Sequence, residues 1–299
     1  MRLPPKVLAW WRLLRIANVF TAVSNVVAGY LLAGGDFDEP SGLFGVCAAS
    51  ALIYTGGMVL NDVLDYGLDC VERPERPLPS GAISLGFARG ISCTLLLAGV
   101  GLAALAGEPS ASVTVALVFC VVSYDAKLKS TSGGPLGMGA CRMVNVWLGA
   151  SVAGLWQAAP LFYGGLLGLY TAGLTWFARS ENEAGWGPDQ STGQGVMALA
   201  LGSLPALPFL VLGANSIAVP HFFWMLGWAG LTAGFGKLLL QVRSDPTPEA
   251  IRRFVGWLIL GFLAIDALVC LAAAGWIAAA AVLLLVFPTL FLARVAPMT

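Results

Sequence analysis

Histidine is almost missing from this 299-residue chain: His221 is the single example. The hydropathy pattern puts it at an outer loop or helix end, which excludes imidazole acid–base catalysis on the cytoplasmic side. Charge is equally scarce. Charged residues make up 11%, the 16 basic and 16 acidic side chains cancel, and no basic helix or aromatic–basic stripe offers a nucleic acid a footing. The six cysteines, at 47, 70, 93, 120, 141 and 270, form no CxxC and no metal-type spacing, so they read as reduced structural thiols. Polar connections are too short to hide a soluble domain, and no repeat recurs at a fixed period. No cleavable signal peptide is expected, because the basic N-terminal stretch carries Trp10 and Trp11 and runs into a full-length helix.

What the chain has in abundance is apolar sequence. It is 58% hydrophobic with a mean hydropathy of +0.82, the signature of an integral membrane protein. Runs long enough to cross a bilayer fall near 16–34, 43–66, 86–106, 111–126, 136–154, 160–178, 195–213, 219–240, 254–273 and 276–293. The expected fold is therefore all-α, a polytopic transmembrane bundle of nine to ten helices forming one domain over residues 1–299. Arg2, Lys6, Arg12 and Arg15 precede the first run, while the loop after it holds Asp36, Asp38 and Glu39 without a basic residue. With ten crossings every Lys and Arg falls on, or in the half of a helix nearest, one face, so both termini are expected in the cytoplasm, with the inner (plasma) membrane as the location.

Polar residues concentrate on that face, most densely in NDVLDYGLDCVERPERPLPSG at 61–81. Asn61, Asp65 and Asp69 are spaced i, i+4, i+8 and drift by only about 40° per step, so they share a helix face. Asp62 flanks the stripe. Carboxylates this close repel one another and are costly near lipid unless a cation sits among them. An all-oxygen set of this kind suits magnesium, above all when a phosphate completes the shell. Prolines 74, 77 and 79 stiffen the following loop, so that Arg73 and Arg76 can be held over the helix end.

This stretch resembles the first aspartate-rich motif of the UbiA superfamily of intramembrane prenyltransferases, NDxxDxxxD followed by a RPxRPLPSG-like loop. The resemblance extends to Arg15 and Asn18 in RIANVFTAV, and to Tyr124 and Lys127 in YDAKLK, similar to the superfamily's tyrosine–lysine signature. It implies a helical bundle around a central cavity open to the cytoplasmic side, and transfer of an isoprenoid from an allylic diphosphate to a small-molecule acceptor, with membrane lipid as the surroundings. Asn61, Asp62, Asp65 and Asp69 would hold magnesium on the diphosphate, and Lys127, Arg73 and Arg76 would neutralise the leaving group. Asn18 and Tyr124 would contact substrate. Lys127 and Lys129 also read as surface anchors, and Asp125 as an ion-pair partner for either.

Further polar residues complete the set. Arg142 and Asn145 stand at i, i+3 inside the fifth run, where an arginine implies a polar cavity; they are expected to contact diphosphate or acceptor. The second aspartate motif of the superfamily is replaced by TWFARSENEAGWG, leaving Arg179, Glu181 and Glu183 as substrate contacts. Proton loss from the acceptor would fall to Asp65, Glu183, the acceptor itself or released diphosphate. The altered second motif, the Arg142–Asn145 pair and an extra C-terminal helix resemble the EboC-type branch; the compact RPxRP spacing also resembles archaeal geranylgeranylglyceryl phosphate prenyltransferases. Asp266, alone in the ninth run, reads as a protonated acid hydrogen-bonded within the bundle, or as a proton or ion site. Trp147, Trp156 and Phe177 read as packing or as shields for a carbocation. Alternatives to the enzyme are a transporter or lipid-handling protein that grips phosphate without chemistry, and a catalytically silent scaffold.

Overall fold

A computed structural model describes residues 4–38, 40–179, 185–211 and 221–295. The amphipathic α1 (Pro5–Leu14) meets α2 (Ile16–Leu32) at Arg15, whose φ and ψ are both 44°. Arg15 is the one non-glycine residue with positive φ among those described, a conformation that costs an L-residue about 1–3 kcal/mol. The kink breaks what composition alone reads as one apolar stretch, Val7–Leu32. Next come α3 (Ser41–Leu64), the short α4 (Tyr66–Glu72), α5 (Leu85–Leu105) and α6 (Glu108–Ala126). After them follow α7 (Gly134–Ala150), α8 (Ala158–Ala178), α9 (Pro188–Ser203) and α10 (Leu207–Val211).

The chain closes with α11 (His221–Ser244), α12 (Pro248–Ala274), α13 (Trp276–Leu284) and α14 (Val286–Val295). Nine helical stretches among the described residues are long and apolar enough to cross a membrane. At 17 residues α7 is shorter than these, so nine of the ten expected runs appear as helices of spanning length among the described residues. The protein is an all-helical integral membrane protein. The ends follow local chemistry. Thr247 accepts the Ala250 amide and starts α12 before its apolar run, Pro188 begins α9 seven residues ahead of the expected 195, and Gly275, at φ 84°, turns the chain between α12 and α13.

Glycine sets how closely the central helices approach. A Cβ on Gly29 would overlap the Val146 carbonyl, and one on Gly149 the Val26 carbonyl, so α2 and α7 touch backbone to backbone. Gly139 and Gly168 do the same for α7 and α8. Gly149→Val is therefore expected to force α2 and α7 apart, at a cost of about 1–3 kcal/mol or more. A lowered melting temperature in detergent checks this, and an unchanged one would show that the bundle relaxes without loss.

Candidate functional site

A cavity of about 230 Å³ runs down the middle of α2, α3, α6, α7, α8 and α12. Each wall is a helical stripe. On α3 it comprises Ser50, Ile53, Tyr54, Gly57 and Met58, spaced i, i+3, i+4, i+7, i+8 as one face requires. Asp62, Asp65 and Asp69 continue that face beyond the last lining residue. The first-motif spacing survives the break at the end of α3, because Asp65 N–H donates to Asn61 O at 2.9 Å and Asp69 N–H to Asp65 O at 2.8 Å. Arg73 N–H then bonds to Asp69 O at 2.9 Å, so the helical path continues to the loop.

Each carboxylate is capped by a cation. Arg15 Nη2 lies 3.2 Å from Asp62 Oδ1, Arg76 Nη1 is 2.8 Å from Asp69 Oδ2 and 3.7 Å from Asp62 Oδ1, and Lys129 Nζ is 2.6 Å from Asp65 Oδ1. Asn61 Nδ2 donates to Asp125 Oδ1 at 3.1 Å, which ties α3 to α6. Asp62, Asp69 and Asp125 are buried. The loop that carries Arg76 is anchored through Leu78 and Ile83, which join Ala9, Leu13, Val59, Val63 and Ala88 in a small apolar core beside α1. Pro77 O also accepts the Ile83 amide at 3.1 Å.

The structure sorts the sequence-predicted residues. Asn18, Tyr124, Arg142 and Asn145 line the cavity, and Asn61, Asp62, Asp65, Asp69 and Arg76 form the ring of paired charges adjoining it. Arg73 and Lys127 are exposed and outside that ring. Arg179, also exposed, donates to Thr131 O and so braces the loop after α6. Glu181 and Glu183 lie outside the described residues. Lys129, read from sequence as an anchor, is the lysine that reaches Asp65. Arg15 and Asp125 join the site as well. Asp125 was findable, since it shares the α6 stripe with Leu117, Val121 and Tyr124; Lys129 gave no local signal. Of the aromatic residues, Phe177 packs against Trp186 and Phe254, Trp156 is exposed, and the rings that face the cavity are Tyr54, Tyr124 and Phe262.

Among the described residues no three acidic, histidine or cysteine groups converge closely enough to hold a metal ion unaided. The donor set nevertheless fits a hard cation that arrives with an anion. An anionic ligand would draw off Arg15, Arg76 and Lys129, freeing carboxylate oxygens for a divalent ion. Asn18 Oδ1, buried with no hydrogen-bond partner, marks a further polar atom in the cavity wall awaiting a donor.

The chain is similar to several known proteins. A digeranylgeranylglyceryl phosphate synthase from Methanoculleus marisnigri is 36% identical over 41% of this chain and 43% of its own length. One from Saccharolobus solfataricus is 28% identical over 53% of this chain and 51% of its own. The chain thus spans about half the length of these relatives. A UbiA homologue from Archaeoglobus fulgidus bound to GPP and Mg2+ shares the fold at a TM-score of 0.57, with 14% identity over 87% of this chain and 99% of that one. Residues 22–254 match the UbiA prenyltransferase family, and the chain belongs to that family.

Proposed function

We propose that this protein transfers an isoprenyl group from an allylic isoprenyl diphosphate to an acceptor within the membrane, releasing diphosphate. The observation that carries this reading is the ring of Asp62, Asp65 and Asp69 against Arg15, Arg76 and Lys129 adjoining the central cavity. Asn61, Asp62, Asp65 and Asp69 would hold magnesium, which supplies charge neutralisation at the departing diphosphate. Arg15, Arg76 and Lys129 bind the same anion from the protein side and stabilise the negative charge that grows on it as the C1–O bond breaks. Tyr54, Tyr124 and Phe262 turn ring faces or edges toward the cavity and screen an allylic cation from water. The acceptor oxygen then bonds to C1, and its proton passes to a carboxylate of the ring or to the released diphosphate.

The two relatives are named for digeranylgeranylglyceryl phosphate, so a prenylated glyceryl phosphate is the acceptor class put forward; of the two branch resemblances, this favours the archaeal one. The reading treats residues 1–299 as one domain in the plasma membrane, with the carboxylate ring and both termini on the cytoplasmic side, as the placement of Lys and Arg supports. Purified protein given radiolabelled geranyl, farnesyl or geranylgeranyl diphosphate with geranylgeranylglyceryl phosphate tests it. Acceptor-dependent transfer that stops on chelation and returns with added magnesium is expected. Absence of magnesium-dependent binding of every prenyl diphosphate would overturn it, and binding without turnover would favour a carrier or scaffold.

A further inference from the structure

Deep in the bundle, on the α7 wall of the cavity, Arg142 is held in an unusual way. Its Nη1 donates to Asn25 Oδ1 at 2.8 Å and its Nη2 to Thr21 Oγ1 at 3.0 Å, and the guanidinium lies over the Phe262 ring, 4.6 Å from its centroid. Both oxygens are neutral. Among the described residues no carboxylate comes within 4.0 Å of its nitrogens; the ion pairs all lie elsewhere. A charge inside a membrane bundle without a direct counter-ion is costly unless a ligand supplies one.

Asp266 dictates this arrangement from one residue further out. Fully buried, it receives Ser24 Oγ at 2.5 Å, Asn25 Nδ2 at 2.6 Å and the Tyr163 hydroxyl. Arginine has no acceptor, so Asn25 must turn its oxygen to Arg142 and its amide nitrogen to Asp266. Thr21 gives its own proton to Asn18 O at 2.8 Å, which leaves a lone pair for Arg142. The relay therefore aims the guanidinium and leaves its remaining N–H donors for the cavity it lines. Arg142 stands level with Tyr54, whose ring centroid is 5.8 Å away. Eight residues of α3 separate Tyr54 from Asp62, about 12 Å at 1.5 Å per residue. A head group held at the carboxylate ring sits more than two helical turns away.

We propose that Arg142 forms a second anion subsite, taking the phosphate or other anionic group of the acceptor, and that Asp266 is the positioning residue that orients it through Asn25. This rests on the prenyl-transfer reading for the identity of the ligand, but its test is independent of turnover. Binding of geranylgeranylglyceryl phosphate and of its dephosphorylated alcohol is measured by titration calorimetry on the full chain in nanodiscs. Geranyl, farnesyl and geranylgeranyl diphosphate with magnesium are titrated in parallel.

The wild-type protein is expected to prefer the phosphorylated lipid at least tenfold. Arg142→Met and Asp266→Leu, which leaves Asn25 Nδ2 without its acceptor, should bring the two lipids to parity while geranyl diphosphate binding stays within about threefold. Tyr163→Phe, which leaves Asn25 paired, should keep the preference, and retained diphosphate binding shows that each variant has folded. Asp65→Ala should do the reverse, losing geranyl diphosphate and keeping the lipid preference. No preference in the wild type, or a preference that survives Arg142→Met, would overturn the subsite. A preference that survives Asp266→Leu would overturn the positioning role. Failure of geranyl, farnesyl and geranylgeranyl diphosphate alike to bind the wild type sinks the prenyl-transfer reading instead.

Discussion

Asp69→Asn should lower magnesium-dependent prenyl transfer by about 10²–10³-fold, the loss that follows when one preorganised charge-stabilising group is removed from an active site. The substitution keeps the side chain's shape and takes away only the negative charge, so the effect comes from metal and diphosphate handling. Folding is expected to survive, because Arg76 retains Asp62 at 3.7 Å and its loop stays anchored through the buried Leu78 and Ile83. Asp62→Asn makes the contrast. It removes the counter-charge of Arg15, whose other side-chain contact is the neutral Met58 sulfur at 3.6 Å, so it should cost stability as well as activity. Magnesium titrations of the transfer rate, paired with melting curves, separate the two. Activity of Asp69→Asn within threefold of wild type would reduce Asp69 to a structural partner of Arg76.

The parts of the site that sequence reveals are those built on one continuous helical path. Asn61, Asp65 and Asp69 could be read as a stripe because i→i−4 hydrogen bonds run through the break between α3 and α4. The same periodicity carries Ser50 to Met58 along the cavity wall. Nine of the ten apolar runs read from sequence are helices of spanning length among the described residues, with ends displaced where proline or a threonine cap starts a helix early, as at Pro188 and Thr247. What sequence does not show depends on turns and on distant chain. The left-handed backbone at Arg15 aims its guanidinium at Asp62, 47 residues away. Asp266 was legible as a hydrogen-bonded acid, but its partners Ser24 and Asn25 stand 242 and 241 residues from it. No local pattern encodes such pairings.

The lysines of YDAKLK supply the other large effect. α6 ends at Ala126 and Lys127 caps it, with φ −143° and ψ −46°, pointing into the exposed surface. The chain then tightens into a single 3-10 turn, Leu128–Ser130, which brings Lys129 round to Asp65. A turn of three residues rather than 3.6 rotates each side chain by about 120° instead of 100°, a change invisible in a pair of lysines two positions apart. Lys129→Met is therefore expected to lower transfer by about 10²-fold or more, since it removes a cation from the charge that develops on the leaving diphosphate. Lys127→Met should stay within about threefold, as exposed charges without a partner contribute little. Steady-state kinetics with geranyl diphosphate as the varied substrate checks both. A reversed order, with Lys127 the costly loss, would mean that the loop after α6 rearranges when diphosphate binds and that the Lys129–Asp65 pair belongs to the ligand-free protein alone.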